Sequence, residues 1–331
     1  MRILIVGCGS IGERHLRCFG RLGGVETSIC DPRRERLAQL KERYNVRAAF
    51  EDWDSAPHGD FDAVAICVPA HLHIPFAVRA LKSGCHVLLE KPLSTSTGGV
   101  AELAGVLQES ARTLMVAYVY RAMPPMDWMK RQLEAGAIGK LLSAVVVSGQ
   151  NFTFFRPDFR DIYYAKHETG GGAIQDGVTH LINLIEWFAG PVSRIGCVAE
   201  RLWIPDVQVE DTACVIMRFH DAPTLASITM NQFQAPNDTR VELCGSEGNL
   251  RYDSAVGRAG ILRRGDSQWK WESPAMGERD DGFVIQAQRF VNATLGKAQP
   301  TCSLAEAEHT LKACLAALES ARTGSFIEVP K

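Results

Sequence analysis

Residues 3 to 31 constrain this chain more than any other stretch. An apolar run, Ile3-Leu4-Ile5-Val6, leads straight into Gly7-Cys8-Gly9-Ser10-Ile11-Gly12, a helix-compatible segment follows, and a second apolar run ends at Cys30-Asp31. The first run is short and rich in β-branched residues, as a buried parallel strand requires. Gly7 permits the tight turn. Gly9, without a Cβ, lets a phosphate approach the backbone. Gly12 lets the next helix pack closely on the strand. The helix begins at the glycines, so the N–H groups around Ser10 and Ile11 and the positive end of the dipole suit a pyrophosphate. Asp31 lies 19 residues beyond Gly12, at the end of the expected second strand. A carboxylate there accepts hydrogen bonds from both ribose hydroxyls of adenosine and repels a 2′-phosphate, which favours NAD over NADP. Arg33 and Arg34 follow at once and weaken that preference. A glycine-rich turn in some other α/β protein is the plain alternative. Strand, helix and acid at the required distances together favour the dinucleotide.

A chain of 331 residues is expected to hold two domains. Its apolar content of 46% and charged content of 22% are ordinary for a protein in water. A net charge of −2 gives no electrostatic case for nucleic acid or an anionic membrane as partner. No apolar run approaches a membrane span, and no signal peptide is read ahead of the first strand. None of the ten cysteines has C-x-x-C spacing. Several sit in apolar runs, as Cys30, Cys67 and Cys214 do, where a thiol packs as a small hydrophobe. No disulfide framework and no metal site are expected, and the expected compartment is the reducing cytoplasm. Cys8, inside the glycine loop, is read either as inert or as exposed to oxidation.

The first 120 residues alternate strand (2–6, 25–30, 62–68, 86–89, 114–118) and helix (10–22, 33–43, 73–83, 96–109). That alternation predicts a doubly wound parallel sheet of the Rossmann kind, with right-handed crossovers. After Met123-Pro124-Pro125 the pattern changes. A helix over 126–135 precedes longer strands at 141–150, 194–203, 211–220, 224–233, 239–244 and 249–253. Further helices are expected at 177–189, 283–294 and 303–322. Residues 221–223, Asp-Ala-Pro, mark a turn between two of these strands. The expectation is thus an α/β chain: a Rossmann domain over 1–120, and over 121–331 an α+β domain with a large, mostly antiparallel sheet for substrate binding and oligomerisation.

Two further signatures carry chemistry. One is Cys67-Val68-Pro69-Ala70-His71-Leu72-His73, followed by Glu90-Lys91-Pro92 after the strand at 86–89. The other is Gly170-Gly171-Gly172 leading to Asp176-Gly177-Val178-Thr179-His180 and Asn183. With the glycine loop they resemble the Gfo/Idh/MocA oxidoreductase family, which includes inositol and sugar dehydrogenases, over essentially the whole chain. Read by itself, Lys91 sits at the end of the sheet where ligands bind, and it is either a donor to a substrate oxygen or a solvated strand-end lysine. Asp176 and His180, four apart, face one cleft if 177–189 is helical, or else cap and pack that helix. The resemblance implies that Lys91, Asp176 and His180 form the catalytic group. His180 would be the general base, Lys91 would stabilise the developing alkoxide, and Asp176 would orient a substrate hydroxyl. It places Pro69, His73, Glu90 and Lys91 near the cofactor. Asn183 stands where many relatives carry Asp, and it can bind a polyol but cannot act as a base.

Residues 155–166 are rich in aromatics and arginine. They read either as pocket lining, with Arg156 and Tyr164 as candidates, or as a solvated loop with local ion pairs such as Arg160 with Asp158 or Asp161. Tyr118, Tyr120 and Arg121 are weaker pocket candidates at the junction, the last two alternatively bracing it. The leading expectation is an NAD(H)-dependent enzyme, NADP being less favoured, acting on a hydroxyl of a sugar, cyclitol or sugar acid. The alternatives are a hydrolase or lyase that retains its nicotinamide for transient oxidation, and a non-catalytic dinucleotide-binding regulator. An antiparallel sheet leaves a face free of helices, which predicts a homodimer or homotetramer.

Overall fold

The computed structural model describes all of residues 1–331. The chain divides into two compact units, Met1–Ala122 with Glu278–Ala307, and Met123–Gly277 with Glu308–Lys331.

The first unit is built on six parallel strands: β1 (Arg2–Val6), β2 (Glu26–Cys30), β3 (Val46–Phe50), β4 (Ala63–Ile66), β5 (His86–Leu89) and β6 (Leu114–Val116), in the order β3-β2-β1-β4-β5-β6. β1 pairs in register with both β2 and β4, so the strand order reverses direction there. Ligands bind at such a switch point, outside the carboxyl ends of the strands. The connecting helices are α1 (Ser10–Phe19), α2 (Arg34–Arg43), α3 (His73–Lys82) and α4 (Val100–Ser110). Ile3, Ile5, Ile29, Ala63, Ala65, Leu88 and Met115 form the core beneath α1 and α2. β3 was not expected from the sequence. Val-Arg-Ala-Ala-Phe carries two alanines, and as an edge strand it is only half-buried, so it lacks the apolar run that marks its neighbours.

The second unit opens with α5 (Pro124–Glu134) and an eight-stranded sheet. Its strands are β7 (Leu141–Asn151), β8 (Val192–Glu200), β9 (Thr212–Phe219), β10 (Leu225–Asn231), β11 (Phe233–Gly245), β12 (Gly248–Asp253), β13 (Arg258–Arg263) and, at the far edge, β14 (Ile327–Glu328). Their order is β13-β12-β11-β7-β10-β9-β8-β14, antiparallel except for the β7–β10 pair. Between β7 and β8 run a single turn, α6 (Phe152–Phe155), and the helix α7 (Thr179–Ala189). The turn at 221–223 joins the antiparallel pair β9 and β10 as expected. β9 alternates strictly, Ala213, Val215, Met217 and Phe219 inward, Cys214, Ile216 and Arg218 outward. Its neighbours follow the same period, so one face of the sheet is core and the other is open.

The sequence reading kept everything after residue 120 in one domain. Instead, α8 (Asp281–Thr294) packs in the first unit, because its apolar side belongs to α1. Phe290 and Ala287 join the core cluster of Ile5 and Phe19, and the Phe19 and Phe290 rings meet edge-on at 6.3 Å. Arg17 holds Asp280 at 2.5 Å. α9 (Leu304–Thr323) begins in the first unit and ends in the second. No helix is long and apolar enough to cross a membrane.

Candidate functional site

In the first unit the glycine turn has the geometry its spacing demands. Gly7 adopts φ +88°, and a Cβ there would meet the Cys67 carbonyl carbon at 2.7 Å. A Cβ on Gly12 would lie 1.9 Å from the Gly7 carbonyl oxygen. Around Gly9 a Cβ would meet nothing, so the space before the start of α1 is open. Gly9 is the N-cap of α1 and no side chain caps it, which leaves the first-turn N–H groups of Ser10, Ile11 and Gly12 for an anion. These residues fit a dinucleotide pyrophosphate. Cys8 is fully buried and its thiol is pushed up to about 12, chiefly by burial, so oxidation at this loop is disfavoured.

Asp31 ends β2 and is buried. Burial alone would raise its carboxyl, but the Arg33 guanidinium and the N–H groups of Arg33 and Cys8 outweigh it and hold the carboxyl below its usual value. Glu90 follows β5 and is also buried. Here too burial pushes upward and is outweighed, mainly by His15, which pairs with Glu90 Oε1 at 2.6 Å. Glu90 Oε2 accepts the Lys91 backbone N–H at 3.1 Å. The helix that opens the phosphate cradle is therefore tied to the residue preceding Lys91. His15 was missed in the sequence. Its signal was its place three residues after Gly12, on the face α1 turns to the sheet. Lys91 itself is half-buried and its bond to Pro92 is cis.

His73, expected near the cofactor, lies between the two signature loops. It is buried, with Nδ1 2.7 Å from the Pro92 carbonyl and Nε2 2.9 Å from the Val68 carbonyl, and burial lowers its pKa. It braces the two signature loops against each other. Pro69 is exposed and opens the short turn at Ala70–Leu72. Tyr118 is buried at the end of β6. Tyr120 is half-buried. Arg121 is also buried, donates to the Thr301 carbonyl at 2.9 Å and pairs with Glu306, so it braces the returning segment rather than a pocket.

In the second unit Asp176 lies in a π-helical turn, Ile174–Val178, that runs directly into α7. It is therefore not the cap of a helix starting at 177. Such turns recur at functional sites, and here four residues span close to a full turn, which keeps Asp176 and His180 near one side of the segment. Gly171 and Gly172 do not open the backbone to a ligand. A Cβ on Gly171 would strike the Tyr164 carbonyl oxygen at 2.0 Å, and one on Gly172 would meet the Glu210 carboxylate at 2.7 Å. They let the protein's own chain close on itself. Glu210, unnoticed in the sequence, is buried, accepts the Ile174 N–H at 2.8 Å, and pairs with His167 Nε2 at 2.6 Å. That hydrogen bond raises the His167 pKa.

The aromatic segment sorts differently from expectation. Tyr164 is fully buried, packs on Phe152 and bonds to Gln232, so it cannot line a pocket. Its neighbour Tyr163 is the one that reaches Asp176, donating to Oδ1 at 2.9 Å. Half-buried Arg156 donates to the adjacent Phe155 carbonyl at 2.9 Å. Arg160 pairs with Asp206 at 3.0 Å, not with Asp158 or Asp161. Asn183 is buried and donates to Thr310 at 3.0 Å, and Thr310 in turn bonds Glu186. It ties α7 to α9.

Comparison with known proteins matches residues 1–118 to the NAD-binding Rossmann fold of an oxidoreductase family and residues 126–251 to the GFO/IDH/MocA C-terminal domain. The dTDP-3,4-didehydro-2,6-dideoxy-alpha-D-glucose 3-reductase of Streptomyces violaceoruber is 32% identical over 273 residues, 80% of this chain and 77% of the relative. Levoglucosan dehydrogenase of Pseudarthrobacter phenanthrenivorans is 23% identical, covering 100% of this chain and 98% of the relative. A solved structure of levoglucosan dehydrogenase in complex with NADH superimposes with a TM-score of 0.90 at 22% identity, covering 100% of this chain and 99% of that one. Both halves match in order along a single polypeptide, and the protein belongs to the GFO/IDH/MocA oxidoreductase family.

Proposed function

We propose that this oxidoreductase moves a hydride between a nicotinamide and a hydroxyl-bearing carbon of a sugar, cyclitol or sugar acid. One observation carries the reading: the glycine turn and Lys91 stand at the carboxyl ends of β1 and β5, the two parallel strands that flank β4 in an NAD-binding Rossmann domain. The relatives support the substrate class, being named for levoglucosan and for a dTDP-linked dideoxyglucose derivative. The pyrophosphate is assigned to Gly9, Ser10 and Ile11, the adenosine ribose to Asp31, and the neighbourhood of the nicotinamide ribose to Glu90. When bound, the nicotinamide supplies the hydride acceptor or donor. His180 takes the hydroxyl proton at a ring nitrogen. The Lys91 ammonium stabilises the developing alkoxide, and Asp176, held by Tyr163, orients a substrate hydroxyl.

The open sheet face is read as a homo-oligomer interface. Register places Arg240, Val147, Thr229, Cys214 and Val198 in one row and Glu242, Val145, Ser227 and Ile216 in the next. Val145, Val147, Ile216 and Val198 are all exposed, with charges flanking them on β11. A reducing compartment is proposed on ten free thiols.

The test is nicotinamide absorbance across a sugar and polyol panel. Lys91→Ala and His180→Ala should each lower kcat by about 10² to 10⁴. NADH binding should be retained in the His180 variant. Full activity in both would refute these roles, and glycone release without net NADH would mark the transient-oxidation alternative.

A further inference from the structure

Asp31 has no free acceptor position. Oδ2 receives the Cys8 N–H at 2.8 Å and Arg33 Nη2 at 2.8 Å. Oδ1 receives the Arg33 N–H at 3.0 Å and Arg33 Nε at 2.8 Å. A carboxylate offers about four lone-pair sites, so a ribose diol reaches Asp31 only after the Arg33 guanidinium leaves. With Arg33 in place, the charge that would repel a 2′-phosphate is cancelled. Arg33 remains mostly exposed, 61% against 3% for Asp31, and its Nη1 has no partner. Around it lies a surface recess lined by Arg33, Arg34, Glu35, Arg36 and Gln39. Arg34 pairs outward with Glu51, and Arg36 is fixed by the Cys8 carbonyl at 2.7 Å and by Glu13. Arg33, Arg34 and Arg36 thus line one recess beside the end of β2, and of the three Arg33 pairs with Asp31. Arg33 Nε and Nη2 are engaged by Asp31, so Nη1 is the part of its fork that can donate to a phosphate while Asp31 stays masked.

We propose that Arg33 is a specificity residue that masks Asp31 and grips a 2′-phosphate, so that the protein takes NADP(H) about as well as NAD(H). The proposal rests on the dinucleotide reading of the glycine turn and adds a residue to it. An acid at the end of β2 ordinarily excludes the 2′-phosphate. Here the excluding charge is spent on its own neighbour two residues away, and the adenosine hydroxyls must compete with an ion pair to use it.

The experiment titrates NADH and NADPH separately into the full-length wild type and the Arg33→Ala variant, following nicotinamide fluorescence. The two wild-type dissociation constants should agree within about tenfold. In Arg33→Ala, NADH should bind as well or better and NADPH should weaken, moving the ratio by at least about tenfold towards NADH. Retained NADH binding in that variant also shows that the unit is folded. Arg33→Lys, which keeps the charge but loses the fork, should fall between the two. A wild-type preference for NADH greater than about tenfold, or a ratio that Arg33→Ala leaves unchanged, overturns the proposal. If the wild type binds neither dinucleotide, the reading of the glycine turn itself fails, a result distinct from NADH binding without the expected ratio.

Discussion

Tyr163 and Tyr164 are adjacent in the chain and face opposite environments. One hydroxyl serves Asp176, the other bonds inside a fully buried cluster. Tyr163→Phe should therefore lower kcat/KM by about tenfold through loss of one hydrogen bond, with NADH affinity and thermal stability unchanged. Tyr164→Phe should do the reverse, costing about 1 kcal/mol of stability by orphaning Gln232. Steady-state kinetics and thermal melts of both variants separate these outcomes. His167 gives a pH prediction. Its folded pKa lies above the ordinary 6.5 because it pairs with Glu210. The fold favours the protonated ring, so the pairing contributes fully below pH 6.5 and fades as pH rises through the folded value. The difference in melting temperature between wild type and His167→Gln should thus be larger at about pH 6 than at about pH 9, and a pH-independent difference would contradict the pairing. The sequence could not separate Tyr163 from Tyr164, nor show that Asn183 faces Thr310. Residues 163–165 form a single short turn, which has no periodicity from which a side-chain direction can be read.

The βαβ elements were legible because strand, turn and helix each leave a local pattern. Gly7, Gly12 and Asp31 stand in the structure where their spacing requires. Gly12→Ala should abolish tight NADH binding, since its Cβ would overlap the Gly7 carbonyl and push α1 off β1. It should also destabilise the first unit by about 1 to 3 kcal/mol. Binding titration and thermal melts test it, and unaltered NADH affinity would contradict the assignment of this turn to the pyrophosphate. What the sequence concealed were elements whose partners are distant. β3 is an edge strand with a half-buried pattern, and α8 finds its core 271 residues earlier along the chain, as Phe290 on Phe19 shows. The glycines of 170–172 were recognisable as a close-approach signal. That the approaching group is Glu210 and the Tyr164 carbonyl, and not a ligand, depends on the fold of 160–211.

At the scale of the whole molecule, the mostly antiparallel second sheet made an open face readable in outline, and the register supplies its content, an apolar centre beside Arg240 and Glu242. Val147→Glu should shift the protein to smaller species in analytical sedimentation without lowering its melting temperature, because Val147 is 47% exposed in the single chain. A wild type that sediments as a monomer would remove the interface. Lys91 and His180 are proposed to act on the same substrate hydroxyl. The most direct measurement is a double-mutant cycle on the hydride-transfer rate, using Lys91→Ala, His180→Ala and the double variant at saturating NAD and substrate. Groups that act as one unit lose their effect together, so the double variant should be little slower than the slower single variant. Losses that simply multiply, each residue contributing independently of the other, would contradict the account.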